Sequence, residues 1–174
     1  FYSLLCAGEE KKSRYIGAKM LDAGDIIQSL AGWTVIGYGK SPLSLFRWFS
    51  ALSRNFIKKS TETHRGIQAM DEAISELSLK CSPSDSGRAL YLVSGPAKEM
   101  NMDLVKELAD YLRGMSPQAV IRNGDYPREK GELDVTLVLS ELGTVERVKW
   151  YYERASSVIH QLKGRRGEFE SKLQ

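Results

Sequence analysis

The sequence predicts an α+β domain: one mixed, mainly four-stranded sheet with helices packed against it. Three observations carry that expectation. Of the 174 residues, 42% are hydrophobic and 27% are charged, which supplies enough apolar material for a core. Helical and strand-like patterns alternate in the order helix, strand, helix, strand, helix, strand, strand, helix. The earlier strands are joined through helices and the last two lie close together, which suits one mixed sheet with helices against it.

Taken in order, residues 1–14 turn from apolar to charged and read as the tail of a longer helix that stops near Tyr15–Gly17. Asp22 is a good N-cap for a short helix over about Ala23–Leu30, with Asp25 three positions on, as in a capping box with Asp in place of Glu. Leu21 before the cap is placed to staple onto Ile26, and Gly32 closes the helix. Trp33–Gly39 is rich in β-branched and aromatic residues and reads as a strand. Thr61–Leu77 reads as a helix with Ala69, Ala73, Ile74 and Leu77 toward a core.

Arg88–Ser94 is apolar enough for a buried strand, ended by Gly95-Pro96. Met102–Met115 repeats Leu104, Val105, Leu108, Tyr111 and Leu112 at helical spacing and stops at Ser116-Pro117. Ala119–Asn123 reads as a short strand, Asp125–Gly131 as a charged turn, and Leu133–Leu139 as an alternating strand. From Thr144 to about Leu162 a helix collects Val148, Tyr151, Tyr152, Ala155, Val158, Ile159 and Leu162 on one face, before a charged tail.

Several function classes drop out. The net charge of +3 is too small for a chain built to wrap nucleic acid. Cys6 and Cys81 lack the spacing of a disulfide framework or zinc site and read as free thiols of a reducing, cytoplasmic compartment. His64 and His160 have no metal-ligand spacing, and no run reaches membrane-spanning length. The chain starts at Phe1, inside a helix and without methionine, and reads as a fragment of a longer protein.

The motifs in this order resemble the C-terminal domain of the FtsZ/tubulin superfamily. Gly17, Asp22, Asp25 and Ile26 fall in register with the FtsZ loop that reads Gly, two residues, Asn, one residue, Asp, two residues, Asp, Val; Met20 stands at the asparagine position. Ile36-Gly-Tyr-Gly39 is similar to the family's Met-Gly-Ile-Gly strand end. Arg65-Gly-Ile-Gln-Ala69 through Ala73-Ile74 resembles its Arg-Ala…Ala…Ala-Ile helix, and Ser94-Gly95-Pro96 its Gly-Gly-Pro. The resemblance spans about 15–142, and it implies three parts. Residues 1–16 end a linking helix from a GTP-binding N-terminal domain that the fragment lacks. Residues 17–142 form the C-terminal domain, and 143–174 a C-terminal helix and tail.

The same resemblance implies a filament-forming cytoskeletal or cell-division GTPase of divergent, archaeal type, associating with copies of itself. GTP and Mg2+ would be bound by the N-terminal domain, with none held by the fragment. The sequence agrees, since it contains neither the family's glycine-rich signature nor a P-loop. In the family the 17–25 loop enters the next subunit's GTP site and promotes hydrolysis, which implies catalytic roles for Asp22 and Asp25. A carboxylate there can orient the attacking water. By spacing alone the pair reads as a helix cap in a favourable dipole. Met20 has neither the donor nor the acceptor of asparagine, and Lys19 beside it is placed to reach a phosphate.

Between strand and helix the chain carries an insertion at about 40–59, where the resemblance places tubulin's lateral contact. Leu45, Trp48, Phe49, Leu52 and Phe56 share one helical face, and Lys40, Arg47, Arg54, Lys58 and Lys59 are its charges, all positive. Such a segment suits its own core with snorkelling cations, a protein partner's groove, or a membrane surface. The rival reading for the whole chain is a non-catalytic α/β binding module that uses this segment.

Overall fold

The computed structural model describes residues 4, 21–41, 55–129, 131–143 and 145–171; over 55–63, 146–147 and 164–171 only the backbone is described. The elements are α1 (Ala23–Ser29), β1 (Val35–Ser41), α2 (Asn55–Ser75), β2 (Arg88–Pro96), α3 (Met102–Met115), β3 (Val120–Arg128), β4 (Leu133–Ser140) and α4 (Glu146–Ser171). The sheet order is β1-β4-β2-β3. β4 runs antiparallel to both β1 and β2, while β2 and β3 are parallel, joined by the α3 crossover. The mixed four-stranded sheet is therefore as the element order implied.

Both sheet faces are covered. On one, Val35, Tyr91, Val93, Val135, Leu137 and Leu139 meet Ala69, Met70 and Ala73 of α2 and Leu104, Leu108 and Leu112 of α3. On the other, Leu90, Leu92 and Val138 pack with Leu4 and Leu21. Coverage on both sides explains why β2 reads as a near-continuous apolar run and why β4, although alternating in sequence, is buried along its whole length.

Glycines let α2 come unusually close to β1. A Cβ on Gly37 would lie 1.9 Å from the Ala73 carbonyl oxygen, and one on Gly39 would lie 2.0 Å from that of Ala69. Side chains of α2 and of the turn after it also reach the outer edge of β1. Ser78 Oγ accepts from Ile36 N–H at 3.1 Å and Glu72 Oε2 accepts from Lys40 N–H at 2.6 Å. The outward N–H groups near both ends of this edge strand are thus occupied. Arg65 completes this end. Its Nη1 lies 2.6 Å from Glu99 Oε2, both side chains being almost buried, and its Nε donates to Ser41 Oγ at 3.4 Å.

Five elements depart from the expected bounds by two residues or more. α2 starts at Asn55 rather than Thr61, because nothing between them breaks a helix and each added residue gains a backbone bond. β2 runs through Gly95-Pro96, and β3 continues through Arg128, where a turn was expected over Asp125–Gly131. Parallel pairing carries both strands to Pro96↔Arg128, and Pro127 is tolerated because β3 is an edge. β1 is shifted two residues on, leaving Trp33 outside it and exposed. α4 extends through Ser171, taking in part of the expected tail, and of its apolar face only Val148 joins the core. Tyr151, Tyr152, Val158, Ile159 and Leu162 stay exposed.

Candidate functional site

The loop singled out by its carboxylates leads into α1, on the sheet face away from α2. A helix of seven residues is too short to persist on its own propensity. Its stability comes from fixed contacts at both ends and along one side.

At the N-terminus Asp22 is extended, with φ −97° and ψ 169°, and its Oδ1 accepts from Asp25 N–H at 2.6 Å. Leu21, 2% exposed, shares a cluster with Ile26, Leu90, Leu92 and Val138, so the expected staple forms and is pressed onto β2 and β4. Further along, Ser29 Oγ donates to the Asp25 carbonyl at 2.7 Å, and Ser140 Oγ donates to the Ser29 carbonyl. The C-terminal end has no basic residue in its last turn. Instead Arg88 reaches across from β2 and donates to the Gln28 carbonyl, supplying the positive charge that this end of the dipole favours. Arg88 is itself held by Glu141, Nε to Oε2 at 3.1 Å. Glu141 occupies the left-handed region at φ 57° and donates its N–H to the Ala31 carbonyl at 2.7 Å.

The second cation is Arg122 of β3. Register places it opposite Leu90, on the same sheet face as α1. Its Nε lies 3.4 Å from Asp25 Oδ1, and its Nη2 donates to Gln28 Oε1 at 2.7 Å. One guanidinium therefore spans two α1 side chains three positions apart. Asp25 keeps 37% of its side chain exposed, and Asp22 is exposed outright. The arrangement presents two carboxylates to solvent from a helix start that cannot easily shift.

Arg88, Arg122, Gln28 and Glu141 were not singled out from sequence. A lone arginine in a strand signals nothing until register sets its neighbours. Of the residues named from sequence, Asp22 and Asp25 are brought together as expected. Lys19 and Met20 lie outside the described residues, as do Leu45, Arg47, Trp48, Phe49, Leu52 and Arg54 of the insertion. Phe56, assigned to that insertion, has its backbone in the first turn of α2 instead.

A second acidic group is electrostatically distinct. Asp134 on β4 is buried and paired with Arg128 of β3. Burial holds its carboxyl above the usual carboxylate range, against the opposing pull of Arg128. It contributes to the fold rather than to the solvent-facing pair.

Residues 1–157 match the family described as the tubulin-like CetZ C-terminal domain. The tubulin-like protein CetZ5 of Haloferax volcanii is 26% identical over 157 residues, covering 83% of this chain and 40% of that protein. The fold is that of CetZ from Methanosaeta thermophila, with a TM-score of 0.66 at 19% identity, covering 99% of this chain and 43% of the other. CetZ2 of Haloferax volcanii, solved as a GTPgS-bound protofilament, gives a TM-score of 0.63 at 21% identity, covering 82% and 40%. The chain thus spans about 40% of the length of the curated relatives it matches.

Proposed function

The chain belongs to the tubulin-like CetZ family as its C-terminal domain, and from that premise we propose that it is the assembly-dependent half of a cytoplasmic, filament-forming GTPase. In this reading GTP and Mg2+ are held by the nucleotide-binding domain of a full-length protein, and Asp22 and Asp25 of one subunit complete the GTP site of the next. The observation that carries the reading is the pair of accessible carboxylates on a fixed helix start. It is supported by the protofilament form of a structural relative with nucleotide bound.

The chemistry asked of the site is modest. Water attacks a phosphorus surrounded by negative oxygens, and the protein's contribution is chiefly position and electrostatics. Asp25, partly exposed yet held, orients a water by accepting its hydrogen bond. Asp22 uses one oxygen to cap α1 and so fixes where Asp25 stands. The insertion, lying between Ser41 at the end of β1 and Asn55 at the start of α2 and carrying Trp48 and Phe49, serves lateral contact with a neighbouring filament or another partner.

Steady-state turnover of the full-length protein tests the assignment. Asp25→Ala should slow GTP hydrolysis by about a hundredfold or more, the usual scale for losing a positioned acid–base group, while GTP affinity stays within about threefold. Asp22→Asn, which keeps the cap, separates charge from capping. Unchanged turnover in both variants would leave α1 a purely structural element.

A further inference from the structure

We infer that Arg122 is a positioning residue for Asp25: it fixes the angle at which the carboxylate is offered to the adjacent subunit. The inference rests on the proposed role of Asp25 and goes beyond it by naming what sets its geometry.

Three observations bear on it. The guanidinium makes two contacts at once, Nε to Asp25 at 3.4 Å and Nη2 to Gln28 at 2.7 Å. Its planar fork therefore fixes a direction, which a single point charge does not. Arg122 sits on a strand whose register is pinned by nine parallel pairs with β2, so its own position is inherited from the sheet. The helix end has a separate clamp in Arg88, which holds the Gln28 carbonyl. Removing Arg122 therefore leaves the cap, the staple and the C-terminal clamp of α1 in place. What is lost is the constraint on the Asp25 carboxylate.

The test uses the full-length protein and measures GTP turnover, polymer assembly and thermal melting together. Arg122→Ala should lower turnover by about tenfold to a hundredfold, the scale of a misplaced reacting group, with critical concentration within about twofold of wild type. Arg122→Lys should recover only part of the loss, because an ammonium cannot hold both partners in one plane. Gln28→Ala, which removes one of the two anchors, should give an intermediate loss and keeps the test open if Arg122→Ala fails to fold. Asp25→Ala with Arg122→Ala should be no slower than Asp25→Ala alone, since a positioning residue has nothing left to position. Full turnover in Arg122→Ala and Gln28→Ala beside a slowed Asp25→Ala overturns this inference alone. Unchanged turnover in Asp25→Ala overturns the reading beneath it. Additive losses in the double variant, tracking a lowered melting temperature, would show Arg122 to be a structural tie only.

Discussion

Tyr91 shows how far a single residue's role depends on where the fold puts it. In sequence it is one member of an apolar strand. In the fold it is buried at the centre of the sheet, donating to the Val105 carbonyl and accepting from Asn123 Nδ2 at 2.8 Å. Burial pushes its phenol from 10.0 up to about 12. A folded value above the unfolded one means that the hydroxyl's contribution is complete below pH 10 and fades as pH climbs toward 12. Tyr91→Phe should therefore cost about 1–2 kcal/mol at neutral pH, the worth of a buried hydroxyl with both bonds made. The gap between variant and wild type should close over pH 10 to 12. Denaturant titrations at neutral pH and across that window would check both parts; a constant gap would mean that the hydroxyl is not the titrating group. Asp22 and Leu21 were legible in the sequence because caps and staples are local, set within five residues. Arg122 was not, because its partner Gln28 lies 94 positions away and only sheet register unites them.

The elements were legible where their signal is periodic and bounded by breakers. α3 came out with both ends as expected, since Asn101 caps Leu104 N–H at 2.8 Å and Ser116-Pro117 ends it. β3 was misjudged because Pro127 and its charged neighbours mimic a turn, and only an edge position makes them tolerable. For α4 the periodic pattern was real, and only its Val148 meets the core: a helical stripe predicts a face, not what covers it. The Gly37–Gly39 pair was seen as a motif without a reason, and the reason is the closeness of α2. Because the obstructing atoms are backbone oxygens, a methyl at Gly39 is relieved only by moving the helix. Gly39→Ala should cost about 1–3 kcal/mol or more, as overpacking does. The denaturation midpoint should fall with the slope unchanged. Alanine at Gly114, where a Cβ meets nothing within 4 Å, is the control and should be neutral or slightly stabilising. Equal stability of the two variants would contradict the close α2–β1 approach.

At the scale of the whole molecule, the fold and family were legible in the order and spacing of many weak motifs, each bound to a packing task in this fold. Arg65 ties the end of β1 to the turn after β2, and Gly66 admits Leu104 of α3. The same accounting bears on nucleotide. Triphosphate recognition needs a run of free backbone N–H groups, commonly a glycine-rich loop opening onto a helix. Among the described residues, five glycines serve packing instead: Gly37 and Gly39 admit α2, Gly66 meets α3, and Gly87 and Gly95 lie against Glu141 and Leu133. The start of α1 is already capped by the Asp22 carboxylate, with Asp25 in its first turn, so its charge repels phosphate. The chain as given should therefore show no saturable heat when titrated with GTP and Mg2+ in a calorimeter. A full-length protein carrying the same Asp22 and Asp25 should bind GTP and hydrolyse it faster as its concentration passes the assembly threshold. Micromolar binding by the 174-residue chain, or turnover of the full-length protein that does not rise with assembly, would move the nucleotide site into this domain and break the division of labour proposed for the two halves.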